Sequence, residues 1–259
     1  MRTPGDGPQQ HDLDPAVAER MVKGARIVTD ELVLDAGAGL GAISAALVTA
    51  GSRVAAVELD MQRVAALRTR FTTAITEKRI EVIKADVRRW RPPYSRPWRV
   101  IANPPFNLTA ELVRNWIIDR DPPRALDLIL QHETAEKLCG TEGRHTRSSA
   151  LLACAGEATF VARLPREATT PSSRVDLAVW RFRRDLEVDA KVLPAIDRLL
   201  TKAFAGPRTM TEALRGVASS IQLRRQGAEF GWKPEDHPRT LPAHAWPPLA
   251  SLLVLCGKI

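Results

Sequence analysis

The sequence predicts an α/β fold: a seven-stranded, mostly parallel sheet with helices on both faces, followed by a small helical domain. Three observations predict it. Strand-like apolar runs at 31–34, 53–57, 80–83, 100–102 and 126–130 alternate with helical stretches at 43–50, 61–73 and 110–119, and parallel strands joined by crossover helices read in that way. Two further strand-like runs, 157–163 and 177–182, close the sheet across a polar loop at 165–174 that carries three charges and two prolines. From Glu187 onward the period changes, with Val188, Val192, Ile196, Leu199, Leu200 and Phe204 at helical spacing, then helical stretches at 210–221 and 246–255.

Ahead of the sheet, residues 1–10 are polar, with Pro and Gly but no apolar core, and read as a flexible arm and not as a signal peptide. A leading helix is expected over 15–26, with Val17, Met21 and Val22 on one face and Asp12 or Asp14 capping its free amides. The expected division is an arm at 1–10, an α/β domain at 11–184 and a helical domain at 185–259.

The 259 residues are 44% hydrophobic and 26% charged, enough apolar material for one large domain and a small one. The 38 Lys and Arg against 30 Asp and Glu give a net charge of +8, and a pI near 9.9 suits a partner that is a polyanion, although a solvated Arg-rich surface gives the same numbers. Cys139, Cys154 and Cys256 are widely spaced and have no CxxC or nearby His. Neither a disulfide framework nor a zinc site is suggested, and a reducing cytoplasm fits. No apolar run approaches the roughly 18 residues needed to span a bilayer.

The stretch Leu34-Asp35-Ala36-Gly37-Ala38-Gly39-Leu40-Gly41-Ala42 falls where the first strand turns into the first helix. Gly37, Gly39 and Gly41 let backbone turn tightly against a ligand. A nicotinamide dinucleotide or a plain tight turn would use the same glycines. Glu58 ends the second strand 21 residues after Gly37, where a carboxylate can accept from ribose hydroxyls, and Asp86 ends the third. Each carboxylate alone would also serve as a helix cap, but three signals at successive strand ends agree on a ligand site.

Asn103-Pro104-Pro105-Phe106 ends the fourth strand. An exocyclic adenine nitrogen is a poor nucleophile because its lone pair is delocalised into the ring, so catalysis must orient it. The Asn103 side-chain carbonyl and the Pro104 backbone carbonyl can both accept from that amine, and Pro104 offers no competing donor. Phe106 supplies a flat face for an extruded base, a stacking interaction worth roughly 1–3 kcal/mol. The same four residues would also make a plain strand-to-turn element.

These residues resemble the ribosomal RNA adenine dimethyltransferases, which comprise the Erm-type 23S enzymes and the KsgA-type 16S enzymes. Gln10-His11-Asp12-Leu13 resembles the family's Q-N-F-L, Asp35 to Gly41 its acidic-x-G-x-G-x-G, and Val57-Glu58-Leu59-Asp60 its V-E-x-D. Ala85-Asp86-Val87 and Asn103 to Phe106 are similar to its G-D-hydrophobic and N-[LI]-P-[YF] elements, and the stretches 130–138 and 171–179 to L-Q-K-E-x-A-x-R-L and P-P-P-K-V-D-S-A-V. The resemblance implies a Rossmann-like class I methyltransferase domain at 11–184, a helical RNA-binding domain at 185–259 and S-adenosylmethionine as donor. It implies His11, Leu13, Gly37, Gly39, Glu58, Asp86 and Asn103 as cofactor contacts, with Asn103, Pro104 and Phe106 catalytic. His11 stands where Asn is usual, Pro104 where Leu or Ile is, and Thr169 where a second aromatic normally faces the target base.

For the RNA, Arg88, Arg89, Arg144, Arg147, Arg166 and Arg174 are expected near one rim as phosphate contacts, with a basic cleft between the domains holding a hairpin. The expected partner is ribosomal RNA, 23S ahead of 16S, and the expected state is a cytoplasmic monomer. Two other classes share the glycine loop or the fold: a nicotinamide-linked oxidoreductase, which leaves Asn103 to Phe106 without a use, and a non-catalytic RNA-binding factor.

Overall fold

A computed structural model describes residues 12–92, 97–141, 143–206 and 208–259; the expected arm and His11 lie outside the described residues. A two-residue strand, β1 (Asp12–Leu13), leads into helix α1 (Pro15–Ala25). Asp14 caps α1 by accepting from the amides of Ala16 at 2.9 Å and Val17 at 3.1 Å, and Pro15 sits in the first turn, where its missing amide is not needed. Val17, Met21 and Val22 are buried, as the helical spacing predicts.

The chain continues through β2 (Leu32–Ala36), α2 (Ala42–Thr49), β3 (Arg53–Glu58), α3 (Met61–Arg70), α4 (Thr72–Thr76) and β4 (Ile80–Lys84). Next come β5 (Trp98–Ala102), α5 (Thr109–Ile117), β6 (Ala125–Gln131), α6 (His132–Cys139), α7 (Arg147–Ala155), β7 (Gly156–Leu164), β8 (Thr169–Thr170) and β9 (Leu177–Arg184). Helices α8 (Leu193–Ala203), α9 (Met210–Ala213), α10 (Ser220–Phe230) and α11 (Trp246–Leu255) complete it.

Seven strands form one sheet in the order β4-β3-β2-β5-β6-β9-β7, and β1 pairs with β8 in a separate two-stranded ribbon. The pairs β2·β3, β3·β4, β2·β5 and β5·β6 are parallel. Their carboxyl ends therefore lie along one edge, and the order reverses between β2 and β5, the kind of crevice in which doubly wound sheets bind ligands. All five residues of β2 are buried, as expected of a central strand covered on both faces.

Three expected elements come out differently. The stretch 61–73 breaks at Phe71 (φ −105°, ψ 21°), whose ring turns into the core. The stretch 210–221 ends as a helix at Ala213, turns through Gly216 (φ +78°) and restarts after Ser219, which forms a capping box with Gln222. The 165–174 loop contains β8, whose partner Asp12–Leu13 is about 157 residues earlier and invisible to local pattern.

By internal contacts the chain forms two compact units. One comprises the chain up to Leu112 with Pro123–Ala135 and Phe160–Arg181. The other comprises Val113–Pro122, Glu136–Thr159 and Phe182–Ile259. Within the second, Trp116 and Trp246 are fully buried and Arg114 forks onto the buried carboxylate of Asp197 at 3.0 and 3.1 Å. Among the described residues no helix is long and apolar enough to cross a membrane.

Gly41 has φ +82°, and a Cβ there would lie 2.6 Å from Leu67 Cδ2 and 2.8 Å from Phe71 Cε2. Gly41→Ala is expected to lower unfolding free energy by about 1–3 kcal/mol, from left-handed strain plus overpacking. Urea unfolding of the purified chain measures it; an unchanged midpoint would disprove the packing argument.

Candidate active site

A cavity of about 890 Å³ opens at the carboxyl ends of β2, β3, β4 and β5, within the first unit. Its wall includes Leu13, the glycine loop, Glu58, Asp86 and Asn103 to Phe106. A second hollow of about 670 Å³ lies at the amino-terminal ends of β2, β3 and β4, the pole of such a sheet that ligands do not favour.

The glycine loop is held from below by its own strand partner. The amides of Gly37 and Ala38 both donate to the Val57 carbonyl, at 2.9 and 3.1 Å. Glu58 then carries the loop further. Its Oε2 accepts from the Gly39 amide at 2.9 Å, and its Oε1 accepts from the amides of Leu59 and Asp60 at 2.8 and 2.9 Å. A carboxylate has about four acceptor positions, and these amides take three of those on Glu58.

Asp86 follows β4 and is bound by Arg88, whose Nε lies 3.0 Å from each carboxylate oxygen. That hydrogen-bonded guanidinium holds the Asp86 carboxyl below the usual carboxylate range. Arg88, expected as a phosphate contact, pairs with Asp86, since two residues along the same turn lie within reach of a charge-assisted contact.

Beyond β5, Pro104 is buried, Phe106 is half-buried against the core and Asn103 Oδ1 is shielded from solvent. The Pro105 carbonyl accepts from the Leu108 amide at 2.9 Å and starts a short 3₁₀ turn over Phe106–Leu108. That turn brings the Phe106 ring to the cavity.

The sequence thus brings Leu13, Gly37, Gly39, Glu58, Asp86, Asn103, Pro104 and Phe106 to one cavity. Arg89, Arg144 and Arg174 are exposed; Arg166 pairs with Asp176 at 2.8 Å. Arg147 is not in a loop but opens α7, where it donates to Thr201 Oγ1 at 3.0 Å. Thr169 is buried, its hydroxyl donating to the Pro171 carbonyl at 3.1 Å, so it offers the cavity no stacking face.

Among the cavity residues that escaped the sequence reading as site residues, three stand out. Asp35 is 1% exposed and accepts from Ser44 Oγ at 2.6 Å; burial pushes its carboxyl up to about 7. Arg63 and Arg70 of α3 also line the cavity. The acid at the head of the glycine loop was a readable signal for the first. Nothing local marks the other two.

The chain as a whole is similar to known proteins. The family model described as "Ribosomal RNA adenine dimethylase" matches residues 8–220. The chain is 30% identical over 260 residues to Ribosomal RNA small subunit methyltransferase A of Synechococcus sp. (strain RCC307), covering 94% of each. It is 31% identical over 254 residues to Mycinamicin-resistance protein MyrB of Micromonospora griseorubida, covering 93% of this chain and 76% of that one.

Among solved structures, a dimethyladenosine transferase from Plasmodium falciparum superposes with a TM-score of 0.75 at 18% identity, over 96% of this chain and 98% of that chain. The 23S rRNA methyltransferase ErmE superposes with a TM-score of 0.72 at 23% identity, over 94% and 99%. Those two likenesses bear on fold alone, and the fold is the Rossmann-like class I methyltransferase fold. With the family match running through most of its length, the chain belongs to the ribosomal RNA adenine dimethylases and is an rRNA adenine-N6-methyltransferase.

Proposed function

We propose that this chain transfers methyl groups from S-adenosylmethionine to the exocyclic N6 amine of an adenine in 23S ribosomal RNA, the Erm-type reaction of macrolide-lincosamide-streptogramin B resistance. The observation that carries the reading is the turn Asn103 to Phe106, which faces the same cavity as Glu58 and Asp86. The relative named for mycinamicin resistance supports the 23S assignment.

The cavity fits the donor: about 890 Å³ lies within the usual range for small-molecule sites, and Glu58 and Asp86 place carboxylate acceptors on its wall. Glu58 would accept from the ribose, Asp86 would face the adenine, and Gly37, Gly39 and Leu13 would shape the channel. When bound, S-adenosylmethionine supplies a methyl group on a sulfonium, whose transfer needs no strong base. The work left to the chain is positioning. Asn103 Oδ1 and the Pro104 carbonyl accept from the amine so that its lone pair points at the methyl, and Phe106 stacks on the base. Arg88, Arg89, Arg144, Arg147, Arg166 and Arg174 are the candidate phosphate contacts, of which all but Arg147 are exposed. The chain is proposed to act as a cytoplasmic monomer.

A second reading, 16S RNA as substrate, is favoured by the small subunit methyltransferase A relatives. Incubation with tritiated donor and separately purified 16S and 23S RNA decides between them. Label in 23S with a primer-extension stop at one adenine is the expected result. Label confined to 16S would replace the first reading by the second, and label in neither would remove both.

A further inference from the structure

The short strand β1 is anchored on one side by Leu13, which is buried in the core. Among the described residues its sheet pairing is with Thr169 and Thr170 alone, and so short a ribbon is marginal by itself. Yet Asp12 and Leu13 both line the cavity. A further fastening is at Asp12. Arg63 of α3 grips the Asp12 carboxylate through two nitrogens, Nη1 to Oδ1 at 2.7 Å and Nη2 to Oδ2 at 3.3 Å.

Gly39 lies directly beneath the pair: a Cβ on it would sit 2.9 Å from Arg63 Nη1 and 3.2 Å from Asp12 Oδ1. The same glycine donates its amide to Glu58. One loop residue is thus held by the ribose-side carboxylate on one flank and covered by an ion pair on the other. Seven residues along α3, Arg70 donates to the Leu40 carbonyl, so the helix holds both the opening strand and the glycine loop.

Helix preference does not explain Arg63. It lies in the first turn of α3, three residues after the cap Asp60, where a cation opposes the helix dipole. Its side chain and that of Asp12 are 18% and 28% exposed, so the pair is less screened than a surface bridge.

We infer that Arg63 is a positioning residue for donor binding, which clasps Asp12 over Gly39 and thereby closes the opening strand onto the donor channel. The inference rests on the cavity being the S-adenosylmethionine site. Its consequence is that donor affinity depends on the pair and methyl transfer from the bound donor does not.

The test is a double-mutant cycle read by calorimetric titration with S-adenosylhomocysteine, using the full chain, Arg63→Leu, Asp12→Asn and the double variant. Each single change is expected to weaken binding about tenfold, and the double change no more than either single one. Donor KM should rise in parallel while kcat at saturating donor stays within about twofold, and Arg63→Lys should recover part of the affinity. Unfolding midpoints of the ligand-free variants separate this from mere loss of structure. Losses that add independently, or a lowered midpoint with unchanged affinity, would overturn the clasp. If the unaltered chain fails to bind S-adenosylhomocysteine, the cofactor reading falls first and the clasp with it.

Discussion

Asn103→Ala is expected to reduce methyl transfer by at least about a hundredfold, the usual cost of deleting one preorganised polar contact to a reacting group. RNA binding should be largely intact. The reason lies in the nucleophile: an aromatic amine presents no localised lone pair until its two N–H bonds are held out of the line of attack. Two acceptors on one rigid turn can hold it so. Asn103 follows β5, a strand buried among its neighbours, and Pro104 fixes the next φ, so little entropy is lost on binding the base. Deleting the amide removes one acceptor and leaves the Phe106 face and the phosphate contacts in place. Single-turnover incorporation of tritiated methyl groups, beside filter binding of the same RNA, separates the two effects. Full activity in the variant would refute the assigned role, and equal loss of RNA affinity would recast Asn103 as a binding residue.

The parts of the site legible in sequence are those whose chemistry is written in adjacent residues. Gly37, Gly39 and Gly41 all have positive φ, a demand that only glycine meets cheaply, and so the loop announces itself. Glu58, Asp86 and Asn103 were readable because parallel strands put successive carboxyl ends on one edge. What was illegible depends on partners far apart in the chain. Asp12 and Arg63 are 51 residues apart, and β1 finds β8 across most of the first unit. Arg88 sits in a basic run that looks made for phosphate, and only three dimensions reveal Asp86 as its partner. Helices α6 and α7 have no break in the sequence to announce them: α6 begins at His132 directly after β6, and α7 runs straight into β7 at Gly156. Thr146 and Ser149 form the capping box that starts α7, and neither is distinctive without the fold.

Asp35 should make the stability of this chain fall as pH rises from about 4 to about 7. Its carboxyl is fully enclosed beneath the glycine loop, with Ser44 Oγ donating at 2.6 Å and Glu58 close enough to oppose a second negative charge. Burial pushes it from 3.8 up to about 7. The sign follows from counting protons. Between those two values the unfolded chain has released the proton that the native chain keeps, so unfolding becomes easier with each step upward in pH, by about 1.4 kcal/mol per unit for one proton. Above about 7 both states are ionised and the penalty stays level, at an order-of-magnitude total of about 4 kcal/mol. Asp35→Asn keeps the shape and the acceptor for Ser44 without the charge. It is therefore expected to match the parent near pH 4 and to exceed it increasingly up to pH 7, as read by urea unfolding at each pH. Binding should pull the other way. A cationic donor beside Asp35 favours the carboxylate, so the parent's affinity for S-adenosylmethionine should strengthen between pH 6 and 8 with release of a proton, measurable by titration in buffers of different ionisation enthalpy. The Asn variant should bind more weakly and lose that pH dependence. Parallel stability curves for parent and variant across pH 4 to 8 would show that Asp35 is ionised in the native chain throughout, and its proton would then have no part in donor binding.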